Sequence, residues 1–326
     1  LRDFGSLAPK AALWLSARRT MNTQVNRRQF LKSSVGAGLA VAASGLVAPV
    51  VAPAIEPVKR SGASRLRLSL AAYSFRETFN HKEPDKRITL FDFIDFCAEH
   101  GCDAAEITSY YFPKEFDTDY LIQLRRHAFL RGIAISGSAV GNTFTVSERR
   151  EAEIALTKKW IDHCAIIGAP HIRVFAGTQP KDAEPAATKK LCIQALEECC
   201  DYAGKKGIFL GLENHGGIVA EADGLLEIVR AVKSPWLGVN LDTGNFHTDD
   251  PYGDLAKCAP YAVNVQYKVE VQYRGKPKQL GDMPRVIKIL RDANYQGYVA
   301  LEYEAREDAW KAVPEWLGKL KEAIGA

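Results

Sequence analysis

The segment Ile208-Phe209-Leu210-Gly211-Leu212-Glu213-Asn214-His215-Gly216-Gly217 passes from apolar residues into a carboxylate, an amide, an imidazole and two glycines. A buried strand that ends abruptly in polar groups and freely turning backbone reads as the rim of a site. The theme returns in Leu237-Gly238-Val239-Asn240-Leu241-Asp242-Thr243-Gly244-Asn245 and in Tyr298-Val299-Ala300-Leu301-Glu302-Tyr303-Glu304. One acid at one strand tip carries little information. Acids at three tips, with helices between, point to a shared cavity.

Outward from these stretches the chain alternates two kinds of segment. Strands are expected at Leu66–Phe75, Ala104–Thr108, Ile133–Ala139, His171–Ala176, Ile208–Glu213, Gly238–Asp242, Ala262–Lys268 and Tyr298–Glu302. Helical spacing marks Leu90–His100, Asp119–Arg131, Arg149–Ile167, Pro185–Lys206, Glu221–Val232, Gly253–Cys258, Pro284–Ala293 and Trp310–Ala323. Glycines 101, 132, 168, 207 and 297 are read as helix stops. Eight strand–helix units predict a (β/α)8 TIM barrel in one catalytic domain, residues 66–326. A doubly wound open sheet is the structural alternative, but no glycine-rich strand–turn–helix fingerprint supports it.

Alternation then sorts the faces. Val299, Leu301 and Tyr303 should meet the helices, leaving Ala300, Glu302 and Glu304 inside the barrel. By the same rule Asn264, Gln266 and Lys268 face inward, as do Asn240, Asp242 and Glu213. Polar inward residues thus gather at the carboxyl ends of strands, where barrel active sites sit.

The N-terminus has a different character. Asn26-Arg27-Arg28-Gln29-Phe30-Leu31-Lys32 precedes a small, apolar run over residues 33–51 and then Ala52-Pro53-Ala54. This order resembles a twin-arginine signal peptide, which implies the twin-arginine export machinery as a partner and a periplasmic location. Residues 1–54 are assigned to an N-terminal extension and this signal, and 55–65 to a linker. The apolar run is rich in glycine, alanine and serine and is broken by Pro49, so no stable membrane anchor is expected. Residues 1–54 carry seven Lys/Arg and one acid, and the chain's formal charge is +4, so the rest is two charges negative. That balance argues against nucleic acid as a partner. The seven cysteines include no metal-type Cys-x-x-Cys pair and are read as buried free thiols. Oligomeric state, including a homo-oligomer, is left open.

Glu213 in Leu-Glu-Asn-His, Asp242 in Asn-Leu-Asp-Thr-Gly-Asn, Gln266-Tyr-Lys268, and Glu302 in Ala-Leu-Glu-Tyr together resemble the sugar phosphate isomerase/epimerase family. Its fold is the xylose isomerase-like barrel. The resemblance spans Leu66 to the last helix. It implies one divalent metal held by Glu213, Asp242, Gln266 and Glu302, with glutamine in place of the commoner histidine on the seventh strand. An all-oxygen set favours Mn²⁺ or Mg²⁺ over zinc. The resemblance also nominates Glu213 and Glu302 as the catalytic acid and base, moving a proton through a metal-stabilised enediolate of a sugar or keto-sugar.

Around this set, Glu106, His215, Lys268, Arg173, Asn245 and Tyr73 are candidate binders of a small carbohydrate substrate. Each has a structural alternative. Lys268 can neutralise the acids, Glu106 can pair with Arg173, Gln266 can hydrogen-bond Asp242, and Glu304 can share the role of Glu302. His247 is read as a solvated loop residue. Three other functions stay open: a lyase or hydratase acting on keto-sugars or keto-glycosides by β-elimination, a non-catalytic exported carbohydrate-binding barrel, and a DNA-repair endonuclease. The last is disfavoured by the lack of basic surface and of a histidine-rich cluster.

Overall fold

The computed structural model describes residues 55–326, so the expected export signal at 1–54 lies outside the described residues. Eight parallel strands close into a barrel: β1 (Arg65–Ala71), β2 (Ala104–Thr108), β3 (Ala134–Ala139), β4 (His171–Val174), β5 (Phe209–Glu213), β6 (Leu237–Asp242), β7 (Ala262–Tyr267) and β8 (Gln296–Leu301). β1 pairs with both β2 and β8, which seals the ring. Each strand is followed by a helix: α1 (Leu90–Glu99), α2 (Thr118–Leu130), α3 (Arg150–Ile167), α4 (Pro185–Gly204), α5 (Ala222–Ala231), α6 (Pro251–Cys258), α7 (Met283–Asp292) and α8 (Ala309–Ile324). The predicted eight-fold architecture is therefore the observed one.

Local chemistry sets the helix ends. Thr89 and Asp92 form a reciprocal capping box at α1. Asp117, Asp250, Asp282 and Asp308 each accept a backbone N–H at the starts of α2, α6, α7 and α8. At the C-terminal ends, Gly101, Gly132, Gly168 and Gly207 hold φ between 68° and 81°, as their placement predicted. Gly297 does not stop a helix. It lies within β8 opposite Leu66, and the left-handed residue after α7 is Asn294, at φ 51°.

Outward residues Leu68, Leu70, Ile107, Ile172, Val174, Leu210, Leu212, Val239, Leu241, Val265, Val299 and Leu301 are buried under the helices. Each contributes about 1.5–3 kcal/mol of transfer free energy. All seven cysteines are buried and unpaired. Residues 55–65, read as a linker, hydrogen-bond to the barrel. Val58 N–H donates to the Pro260 carbonyl (2.9 Å), Arg60 Nη2 to the Ala262 carbonyl (2.6 Å) and Gln296 Nε2 to the Ser61 carbonyl (2.7 Å).

Strands stop earlier than alternation suggests. β1 ends at Ala71, and Ala72–Phe75 form a 3-10 turn carrying Tyr73 at the barrel mouth. Lys268 and Glu302 lie one residue beyond β7 and β8. The segment after Lys268, whose shape the sequence leaves open, forms an antiparallel hairpin of Glu270–Gln272 with Lys278–Leu280.

Candidate active site

Inside the barrel the inward residues form two polar layers. The deeper one is built from amides. Asn264 Nδ2 donates to Glu106 Oε2 (2.7 Å) and to Asn240 Oδ1 (2.8 Å). Gln266 Nε2 donates to Glu106 Oε1 (2.7 Å), while Gln266 Oε1 accepts from Asn240 Nδ2 (2.6 Å). His171 lies beside them, its Nε2 3.4 Å from Asn240 Oδ1. A Cβ on Gly137 would overlap the imidazole, so that glycine makes room for the ring. Glu106 reaches β7 across the lumen, which is possible only if all these side chains point inward. The pairing of Glu106 with Arg173 offered by the sequence is not formed, nor is that of Gln266 with Asp242.

The upper layer is charged. Arg173 Nε lies 2.8 Å from Glu213 Oε2, both side chains at most 6% exposed. The guanidinium also donates to the Val140 carbonyl (3.0 Å) and stacks on Phe175, 3.9 Å from the ring centre. Glu213 Oε1 accepts from Asn245 Nδ2 (3.0 Å), and Asn245 Oδ1 accepts from Lys268 Nζ (3.2 Å). That ammonium lies 3.1 Å from Asp242 Oδ2, 3.1 Å from Glu304 Oε2 and 3.5 Å from Glu302 Oε2. Asn245 therefore ties two buried ion-pair groups into one network.

This network floors a cavity of about 280 Å³ lined by Tyr73, His215, Asn245, His247, Lys268 and Glu304, with the hairpin as one wall. Four of the proposed substrate binders, Tyr73, His215, Asn245 and Lys268, thus face the same space. Arg173 is one step behind, and Glu106 sits beneath the floor with both oxygens occupied. Glu213 and Glu302 also stand behind the lining, reaching it through Asn245 and Lys268. The ring of His215 packs on Phe175 (4.5 Å between centres). His247 is exposed, as read, yet belongs to the rim. Tyr73 also borders a wider opening of about 730 Å³ with Arg76, His81, Tyr110 and Tyr111.

Residues 94–320 match the family described as xylose isomerase-like TIM barrel. The chain belongs to that family. A human protein named only as a candidate hydroxypyruvate isomerase is 25% identical over 185 residues, covering 48% of this chain and 61% of that one. The chain therefore spans about three fifths of the first relatives it matches. A solved D-psicose 3-epimerase superposes with a TM-score of 0.63 at 18% identity, over 79% of this chain and 97% of that one. A candidate 3-DHS dehydratase from Bacillus anthracis superposes at 0.58 with 15% identity, over 80% and 99%. At these identities the structures establish the fold alone.

Electrostatics separate the family barrel's two layers further. Burial pushes the Glu106 carboxyl up to about 7, with Glu302 adding to the rise and the two amides opposing it. Burial also raises Glu213 and Glu302, against the pull of Arg173 and Lys268 respectively. Asp242 is raised to about 6 by burial, and Lys268 opposes that rise. Burial works against the Lys268 ammonium as well, but Asp242, Glu302, Glu304 and Glu213 outweigh it and hold the proton firmly. His171 is lowered to about 4 by burial, so it is a neutral ring at ordinary pH.

The donor set implied for Mn²⁺ or Mg²⁺ does not fit such an ion as folded. Gln266 spends its amide oxygen on Asn240, and Glu213 has one oxygen on Arg173 and the other on Asn245. Asp242 Oδ2 accepts no hydrogen bond of good geometry, and the cation beside it is Lys268 Nζ. Among the described residues no three His, Cys, Asp or Glu side chains are grouped to hold a metal. Two contributors escaped sequence reading: His171 in the deep layer, and Asn214, whose amide bridges the backbone of Asp242 at 2.9 Å on both sides. Inward alternation did point at Asn240 and Asn264. Nothing local distinguishes Asn214 from any turn asparagine.

Proposed function

We propose that this chain is an isomerase or epimerase that moves a proton on a sugar or keto-sugar, with Glu213 and Glu302 as the exchanging carboxyls. The observation that carries the reading is the upper layer itself: two buried carboxyls, each beside a buried cation, at the mouth of a xylose isomerase-like barrel. A carboxylate takes the proton from the carbon between a hydroxyl and a carbonyl. The C–H pair becomes the enediolate double bond and the carbonyl pair moves onto oxygen. Return of a proton to the neighbouring carbon, with the hydroxyl proton passing to the former carbonyl oxygen, isomerises the sugar, and return to the same carbon from the other face epimerises it. The raised pKa of both carboxyls suits this exchange near neutral pH. Glu304 faces the cavity directly and is the alternative second group.

The same enediolate can expel a group β to the carbonyl, so a lyase acting on keto-glycosides is the second reading. The wide, tyrosine-lined opening that shares Tyr73 with the cavity favours it, because it offers room for an attached second ring. Product analysis over a panel of keto-sugars and keto-glycosides separates the two. Turnover lost but sugar binding retained in Glu213→Gln supports catalysis. Sugar binding without turnover in either form would make the chain a carbohydrate-binding barrel. Export by the twin-arginine route rests on Arg27-Arg28 and the apolar run after them. Two lysines in place of Arg27 and Arg28 should leave the precursor inside the cell.

A further inference from the structure

We propose that Lys268 is the resident cation of this site, doing the work that the family resemblance assigns to a divalent metal. The proposal rests on the isomerase reading above for its chemistry, but its geometry stands alone. Lys268 Nζ has four oxygens around it, from Asp242, Glu304, Asn245 and Glu302 at 3.1–3.5 Å. Three of these belong to acids, two of which are also among the expected metal ligands. The ammonium therefore sits between Asp242 and Glu302, two of the four donors the resemblance implies. Asp242 Oδ2 depends on it for compensation, since no hydrogen bond of good geometry reaches that oxygen.

The backbone is shaped around this lysine. A Cβ on Gly244 would lie 2.8 Å from Lys268 Cβ and 2.9 Å from Lys268 Cδ, so only glycine lets the stem pass. Thr243 Oγ1 accepts the Lys268 backbone N–H at 2.9 Å and fixes its start. The charge count agrees: Arg173 on Glu213 and Lys268 on Asp242, Glu302 and Glu304 together supply the two positive charges a divalent ion would bring. The glutamine at 266 is consistent with this arrangement, because its amide serves the deep layer and offers nothing upward.

In the reaction, the Lys268 ammonium donates a hydrogen bond to the carbonyl oxygen as negative charge builds there. The C–H proton passes to Glu304, which lines the cavity beside this ammonium, or to Glu302 once substrate draws Lys268 off it, and then returns to carbon. No electron leaves the sugar and no co-reactant is consumed. Lys268 lines the cavity, so the ammonium reaches substrate without opening the fold.

The test is a titration of chelator-stripped full-length protein with Mn²⁺, read by electron spin resonance, beside solvent-deuterium exchange into keto-sugars. Mn²⁺ should stay free at equimolar protein, and exchange should persist in the stripped protein. Lys268→Met should lose exchange by at least about a hundredfold per folded molecule, read below a lowered melting temperature because Asp242 and Glu302 lose their buried cation. Gly244→Ala, which crowds the lysine stem and the Glu270 carbonyl while keeping every charged side chain, should lose exchange too. One tightly bound Mn²⁺ per chain, or exchange that stops on stripping and returns with Mn²⁺, would overturn the proposal. If no sugar exchanges under any condition, the isomerase reading falls, and the Mn²⁺ titration alone still decides what occupies the site.

Discussion

The two polar layers inside the barrel share β4 and β6 and follow one another along β7 and past its end, yet they are built on opposite terms. In the deep layer Glu106, Asn240, Asn264 and Gln266 exchange hydrogen bonds of 2.6–2.8 Å and leave no amide pointing at a ligand. In the upper layer the bonds are ion pairs, one acidic oxygen lacks a hydrogen bond, and Asn245 and Lys268 open onto the cavity. A saturated network is rigid and chemically silent, whereas an unsaturated charged one can trade partners with a substrate. The difference teaches that burial of polar groups alone does not mark a site. Spare hydrogen-bonding capacity beside a cavity does.

The comparison breaks if substitutions in the two layers act alike. The largest effect is expected from Glu302→Gln, which should lower turnover by about 10²–10⁴-fold. Thermal unfolding should show that variant no less stable than wild type, because burial already disfavours its charge. Next comes Arg173→Met, which strands the buried Glu213 carboxylate and should cost about 3–5 kcal/mol in denaturant unfolding. Adding Glu213→Gln should recover much of that loss. In the deep layer, Asn264→Leu removes donors from Glu106 and Asn240 and should cost about 1–3 kcal/mol for each stranded group. Turnover per folded molecule should then change little, the opposite of Glu302→Gln.

The smallest effect expected is a pH slope. The Glu106 carboxyl is raised in the fold, so its stabilising contribution is complete below its ordinary value of 4.5 and is lost as pH rises through about 7. His171 has the opposite sign: its lowered value makes its contribution full above 6.5 and lost as pH falls through about 4. Melting temperature against pH should therefore flatten at the alkaline end of this window in Glu106→Gln. Unchanged slopes would mean that Glu106 is not held as the deep layer requires.

Much of the fold was legible because strand and helix periods are local signals. Leu210 and Leu212 bracket Gly211 as alternation demands, and Gly168 and Gly207 end helices where their freedom at positive φ is needed. Gly297 misled because a glycine inside a strand and one after a helix look alike in one dimension, while Asn294 did the stopping. The site's membership was legible through inward alternation, which placed Glu213, Asp242, Lys268 and Glu302 together. Their partners were not. Whether Glu106 meets Arg173 or the amides of Asn264 and Gln266 depends on distances across the lumen, which no local pattern encodes. The turn that carries Tyr73 and the hairpin after Lys268 were hidden for the same reason.

The most direct test of the central claim, that buried carboxyls at the barrel mouth move a proton on a sugar, is carbon-bound deuterium measured by NMR. Wild-type protein and a keto-sugar panel are incubated in D₂O, with and without added Mn²⁺. The account predicts solvent deuterium at the carbon beside the carbonyl of at least one sugar, and its loss in Glu302→Gln. Sugars that bind and emerge with every carbon-bound hydrogen retained would contradict it.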